Sequence, residues 1–194
     1  MGRIFYLMGA SGSGKDSLLC HVRRQIIDTD RCFVAHRYIT RKPELRGENH
    51  IWLTAAEFVQ RRAAQAFAMQ WQANGYDYGI GMEIELWLAQ GFDVLVNGSR
   101  DYLPQAQARY PEHLVPLLVQ VDAASLEQRL RLRGRETDAQ ILARIERAQQ
   151  YTQLLEAGVV PIDNNGSLGQ GANQLLSLIR SFESDSLVEL NPIV

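Results

Sequence analysis

Residues 3–17 read Arg-Ile-Phe-Tyr-Leu-Met-Gly-Ala-Ser-Gly-Ser-Gly-Lys-Asp-Ser, and this stretch decides the fold. Arg3–Met8 is a short, apolar, β-prone run that predicts a buried parallel strand ending at Gly9. Gly9-Ala10-Ser11-Gly12-Ser13-Gly14-Lys15 then matches the G-x-x-x-x-G-K pattern of a phosphate-cradling loop. From Lys15 to about Asp28, the apolar positions Leu18, Leu19, Val22 and Ile26 recur at helical spacing. Strand, glycine loop and helix in that order are what an anion nest needs. Three glycines let the backbone wrap with its N–H groups inward. The helix that follows brings its free N–H groups and the positive end of its dipole to the same point. Lys15 adds a point charge.

The loop is therefore expected to bind ATP through Gly9, Ala10, Ser11, Gly12, Ser13, Gly14, Lys15, Asp16 and Ser17, with Lys15 acting on the β/γ-phosphates. One position departs from the general pattern. Where a Ser or Thr that ligates Mg²⁺ usually follows the lysine, this chain has Asp16 and then Ser17. A carboxylate is a hard oxygen ligand, so Asp16 is the candidate Mg²⁺ ligand, directly or through water, with Ser17 beside it. The competing reading is an acid placed at a helix N-terminus by the dipole alone.

Outward from the loop, strands alternate with helices. Cys32–Tyr38 predicts a second strand, and residues 39–53, with Pro43 and Gly47, a loop-rich insert. Thr54-Ala-Ala-Glu57 is a capping box opening a short helix. Further strands are expected at Phe67–Trp71, Phe92–Asn97, Leu114–Asp122 and Val159–Ile162. Helices are expected at Ile80–Gln90, Ser125–Arg133, Asp138–Ala157 and Ala172–Phe182, and Glu183–Val194 has no clear period. This alternation gives an α/β fold, a parallel sheet covered on both faces.

Composition removes several function classes. At 194 residues a single domain is the expectation, and 46% apolar residues exclude a disordered chain. A formal charge of −2 gives no global basic field, so no nucleic-acid partner is expected. Of the 20 basic residues only Lys15 and Lys42 are lysines; the remainder are arginines, the planar two-pronged binders of phosphate. Cys20 and Cys32 cannot supply a disulfide framework, which fits a reducing, cytoplasmic compartment. The N-terminal apolar run is too short for a signal or a membrane span, and no membrane partner is expected. His21, His36, His50 and His113 show no metal-ligand spacing. Trp52, Trp71 and Trp87 read as core. A homodimer is left open.

The chain resembles the guanylate kinase branch of P-loop kinases. The likeness rests on the phosphate loop, Thr40-Arg41-Lys-Pro with Gly47-Glu48, Tyr78-Gly79, the strand Val94-Leu-Val-Asn97, Leu132-Arg133-Gly134 with Arg144 downstream, and Ile162-Asp-Asn164. The resemblance implies a P-loop NTPase three-layer fold: a five-stranded parallel core, an acceptor subdomain around residues 36–80 and an arginine-bearing lid around 131–144. Residues 1–183 would then form one domain and 184–194 a C-terminal tail.

The departures are informative. Guanylate kinases hold the acceptor phosphate with arginines and two tyrosines, and read guanine with a serine and a glutamate. Here Arg41 and Tyr78 stand at phosphate positions, Arg46 replaces a second arginine in a shifted register, and His50 falls at a tyrosine position. The guanine-reading serine aligns with Arg37, and the glutamate with Met69 or, one residue on, Gln70. Phosphate grip is kept while base recognition is lost, and a site without partners for a base edge discriminates poorly for that base. This profile is similar to the ribose 1,5-bisphosphate phosphokinases of phosphonate breakdown. The shared signatures are Gly12-Ser-Gly-Lys-Asp-Ser17, Trp71-Gln-Ala73, Val94-Leu-Val-Asn-Gly-Ser-Arg100 and Ile162-Asp-Asn164.

That resemblance implies transfer of the γ-phosphoryl of ATP, with Mg²⁺, to ribose 1,5-bisphosphate. Arg37, Arg41, Arg46 and Tyr78 would take the acceptor phosphates, with Arg100 a further candidate. Arg133 and Arg144, with Arg135, would act on transition-state charge from the lid. Two alternatives stand beside it: a guanylate or other nucleoside monophosphate kinase, and a non-catalytic guanylate kinase-like binding module.

Overall fold

The fold is that of a computed structural model, which describes residues 1–43, 50–134, 136–149 and 158–188, and of Arg133 and residues 183–188 the backbone alone. The N-terminal apolar run becomes β1 (Ile4–Gly9), buried along its whole length and central in a five-stranded sheet. On one side β1 pairs in parallel with β7 (Asp93–Asn97), which pairs with β2 (Cys32–Val34). On the other it pairs in parallel with β8 (Leu114–Gln120), which pairs with β9 (Val160–Asp163). An all-parallel sheet must be covered on both faces, and β1 shows why its run is continuously apolar rather than alternating.

One face of the sheet packs Phe5 and Leu7 against Leu18 and Val22 of α1 (Lys15–Gln25) and Leu175 and Ile179 of α7 (Leu168–Val188). The other packs Ile4, Tyr6 and Met8 against Ile84 and Leu88 of α3 (Glu83–Ala89) and Ala106 of α4 (Leu103–Arg109). Each fully buried side chain of this size contributes roughly 1.5–3 kcal/mol, so the three layers are held mainly by this burial. A two-pronged ion pair, Arg180 to Asp30, ties α7 to the turn before β2 at 2.7 and 3.0 Å. That guanidinium holds the Asp30 carboxyl below the usual carboxylate range.

A second sheet stands apart from the first, in the order β4 (His50–Trp52), β3 (Arg37–Ile39), β6 (Tyr76–Gly81), β5 (Phe67–Ala73). Its outer face is closed by α2 (Ala55–Ala63), with Phe58 stacked on Phe67 at 4.5 Å. Thr54 caps this helix, its Oγ1 accepting from the Glu57 N–H at 3.1 Å. Gly79 lies under Phe67, whose ring occupies the space a β-carbon would need. The inner face, by register and alternation, carries Arg37 and Ile39, Tyr78 and Ile80, and Met69 and Trp71.

The run Cys32–Tyr38, expected as one strand, is therefore two. β2 joins the main sheet and β3 the second, with Ala35 and His36 between them, because the chain changes sheets after Val34. The strand Tyr76–Gly81 lies partly where a helix was expected. Its helix starts only at Glu83, since Ile80 and Gly81 are taken by pairing with β5. Residues expected as a loop-rich insert contribute β4, and α4 was not expected at all. The last helix runs through Val188, because Glu183–Val188 holds no Gly or Pro to stop it. α6 (Asp138–Gln149) begins where expected, and its proposed continuation to Ala157 lies outside the described residues. Among the described residues no helix is long and apolar enough to cross a membrane.

Candidate active site

The loop after β1 sits where the neighbours of the central strand diverge, since chain order reverses direction on its two sides. This is where parallel α/β sheets place ligands, at the carboxyl ends of the strands. Gly12 and Gly14 have φ of 96° and 89°, a region that L side chains rarely adopt, so the turn into α1 requires glycine there. A β-carbon on Gly14 would also meet the Asn164 amide at 2.6 Å. The Lys15 ammonium lies within the loop, donating to the carbonyls of Gly9 and Ala10.

The loop is clamped from outside. Asn164, at the end of β9, donates from Nδ2 to the Ser13 carbonyl at 2.7 Å. Arg129, on α5 (Ala123–Arg133), donates to that carbonyl at 3.3 Å and to the Asn164 carbonyl at 2.6 Å. Leu126 and Leu130 of the same helix pack under Gly12. These contacts fix the Ser13 carbonyl from outside the loop, while its own N–H donates to the Ala10 carbonyl at 3.1 Å. Ser13 is 1% exposed, and its hydroxyl is buried with no hydrogen-bond partner among the described residues. Arg129 was not singled out from the sequence. The signal was present in helical spacing, which puts it on the loop-facing side of α5 with Leu126 and Leu130.

Arg144, on α6, reaches across to the loop. Its guanidinium donates to the Ser11 hydroxyl and pairs with Glu136 at 3.1 Å. Arg133 ends α5 and its side chain lies outside the described residues, as do Arg135 and Arg46.

Asp16, in the first turn of α1, faces β7 and the second sheet. Its Oδ1 accepts from the Arg37 guanidinium at 2.6 Å and from the Asn97 amide at 2.8 Å. Arg37 lies 6.0 Å over the Tyr78 ring. The expected acceptor residues Arg37 and Tyr78 are thus adjacent, and they meet the expected metal residue Asp16. Asn97 is 4% exposed and its Oδ1 is buried without a partner among the described residues. It was quoted only as part of a strand, though a buried polar residue ending an apolar run is itself a signal. Ser17 is exposed on α1. Arg41 lies just beyond β3, where the His50 ring donates to its carbonyl at 3.0 Å. Arg100 opens the turn after β7 and pairs with Asp101 at 3.1 Å. That turn is fixed by Tyr6, whose hydroxyl donates to the Ser99 carbonyl and accepts from the Ser99 N–H, at 3.0 and 2.9 Å. Burial pushes the Tyr6 hydroxyl far above its usual value, so it stays protonated and able to donate. Met69, the sequence alternative for a base-reading glutamate, is 1% exposed and part of the core, while Gln70 points to the outer face.

Among the described residues no group of three or more His, Cys, Asp or Glu side chains could hold a metal ion. One exposed carboxylate beside a phosphate nest instead suits Mg²⁺, which keeps most of its waters and is shared with substrate phosphates.

A phosphate nest clamped to a parallel sheet, an arginine from a helical arm and a second sheet bearing Arg37 and Tyr78 define a P-loop kinase. Its solved neighbours agree in fold. The chain superposes on a guanylate kinase from Anaplasma phagocytophilum with a TM-score of 0.69 at 17% identity, over 93% of this chain and 85% of that one. It matches a gluconokinase from Sinorhizobium meliloti with a TM-score of 0.50 at 16% identity, over 98% of each. No protein-family model matches the chain. Among curated sequences it is 50% identical to the ribose 1,5-bisphosphate phosphokinase PhnN of Yersinia pestis, over 92% of both chains. It is 45% identical to that of Klebsiella pneumoniae, over 96% of this chain and 99% of its relative. The chain belongs to the ribose 1,5-bisphosphate phosphokinase family.

Proposed function

We infer that this protein moves the γ-phosphoryl group of ATP onto the 1-phosphate of ribose 1,5-bisphosphate, giving 5-phospho-α-D-ribose 1-diphosphate and ADP. The observation that supports this reading is an intact phosphate loop facing a sheet that carries Arg37 beside Tyr78 and, among the described residues, no carboxylate at the expected base-reading position. Met69 is core and Gln70 faces away.

The acceptor is a phosphate oxygen, and the second pKa of a phosphate monoester is about 6, so the attacking oxygen is already ionised at neutral pH. No general base is needed, and catalysis consists of positioning and charge neutralisation. We assign the ATP phosphates to the loop N–H groups and Lys15. Arg144 stands at the loop's rim and is assigned to the charge that spreads over the moving phosphoryl group. Arg37, Arg41, Tyr78 and Arg100 are assigned to the acceptor, Arg46 and Arg133 keeping the roles expected from sequence. Asp16, with Asn97 fixing its orientation, would hold Mg²⁺. The ion would supply charge neutralisation for the transferred phosphoryl group. In the ligand-free protein Arg37 offsets Asp16. An acceptor phosphate that engaged Arg37 would compete with Asp16 for its guanidinium and leave that carboxylate available as the ion's holder.

The test is ³¹P NMR of the purified protein with Mg-ATP and, in separate tubes, ribose 1,5-bisphosphate and GMP. A sugar-diphosphate signal with ADP in the first tube alone is expected. GDP in the second tube alone would replace this reading with a guanylate kinase, and silence in both would replace it with a binding module.

A further inference from the structure

Trp71 was expected to be core, and the structure packs it, half-buried, against the main core cluster at the inner face of the second sheet. On the inner face of the second sheet Met69 is buried in the core, so Trp71 is the next side chain of β5 on that face, and it is only half-buried. Its indole lies parallel to the Tyr78 ring, with centroids 5.6 Å apart and planes within 6°. It also reaches Tyr102, in the turn after β7, at 5.7 Å. Tyr78 is on the second sheet and Tyr102 in the turn that follows a strand of the main sheet, and the indole bridges them.

The order along the cleft matters. Asp16 and Arg37 mark its phosphate end and Tyr78 stands beside Arg37. Trp71 comes next, where the organic part of a bound phosphate ester would extend. Two aromatic partners already hold the ring, and the inner-face side chains of β5 offer a base edge no hydrogen-bonding group beyond one indole N–H. A bulky apolar wall with its stacking contacts made within the chain is a barrier, not a platform for a base.

We propose that Trp71 sets acceptor specificity by closing the cleft behind the phosphate grip, leaving room for a ribose phosphate and excluding a nucleobase. This rests on the function inferred above. A site of this kind discriminates by obstruction of the wrong acceptor as much as by contacts to the right one.

The experiment compares wild type with Trp71→Ala, Trp71→Leu and Trp71→Phe, reading ADP release with ribose 1,5-bisphosphate and with GMP. Circular dichroism checks folding, and inhibition of the wild-type sugar reaction by GMP is measured alongside. In Trp71→Ala and Trp71→Leu the ratio of kcat/KM for the sugar phosphate over GMP is expected to fall at least tenfold. Part of that fall should be a gain with GMP. Trp71→Phe should keep the ratio near wild type, and GMP should inhibit wild type only far above the sugar's KM. The proposal is overturned if the ratio stays within threefold in the folded variants, or if both activities fall together with no gain for GMP. If neither Trp71→Ala nor Trp71→Leu folds, the wild-type inhibition decides, and GMP inhibition near the sugar's KM overturns it. Failure of wild type to use ribose 1,5-bisphosphate would bring down the inferred function instead, a result read before any variant is made.

Discussion

The donor side and the acceptor side of this cleft are built in opposite ways. The phosphate loop is seven contiguous residues whose glycines and lysine carry its chemistry, and tertiary contacts only brace it. The acceptor face proposed above draws Arg37, Trp71 and Tyr78 from three strands of a separate sheet, and no two of them are neighbours in sequence. The first is a local property of the chain and the second a property of its pairing. Function can therefore change at the acceptor face without disturbing the donor, which is how one fold serves several acceptors.

Four measurements sharpen or break that contrast. Lys15→Ala should lower kcat by about 10³-fold, typical for loss of a preorganised electrostatic group, with both acceptors affected alike. Activity within tenfold of wild type in steady-state assays would remove the loop from the chemistry. Arg37→Met should cost about 10²-fold in kcat/KM for ribose 1,5-bisphosphate. Its effect on the KM for ATP should be small. A mainly ATP-side defect would show that Arg37 serves Asp16 and not the acceptor. Arg129→Met should lower kcat/KM for ATP by about tenfold through a misplaced loop, since small displacements of reacting groups are costly. Unchanged kinetics would make the clamp dispensable.

The smallest effect belongs to neither side. Asp30→Asn should destabilise the fold by about 1–2 kcal/mol, as expected for a charged hydrogen bond at a half-exposed arginine, and leave kinetics unchanged. Because the folded Asp30 carboxyl titrates below its unfolded value, its contribution is full above the unfolded pKa. It is lost as pH falls through the folded one. The gap between the denaturant midpoints of wild type and variant should therefore be constant above the ordinary carboxylate range and narrow progressively as pH falls below it. A gap that does not narrow at all on acidification would assign the stabilisation to packing.

The same contrast explains what could be read from sequence. The loop, its flanking strand and helix, and the parallel core were legible because apolar runs and glycine spacing are local signals. The split of Cys32–Tyr38 between two sheets was not, because its apolar character suits either sheet and only pairing partners decide. Arg37 and Tyr78 were put forward by resemblance, and the structure brings the two together. Trp71 was set down as core and does pack against it, but its place between Tyr78 and Tyr102 was not legible, because an aromatic on a strand carries no mark of its partners across the sheet. Arg129 was missed because its partner is a backbone carbonyl, an acceptor every residue possesses.

That carbonyl has a consequence for how damage to this protein would present itself. The Ser13 oxygen is gripped by Asn164 and Arg129, 151 and 116 positions away along the chain. Part of the nest's bracing therefore depends on the far end of the sheet being docked. A lesion in β9 or at the head of α7 would surface in an assay as weak ATP affinity, with every residue of the loop intact. Genetic variants in the last third of the chain should be sorted by nucleotide affinity before they are dismissed as folding defects.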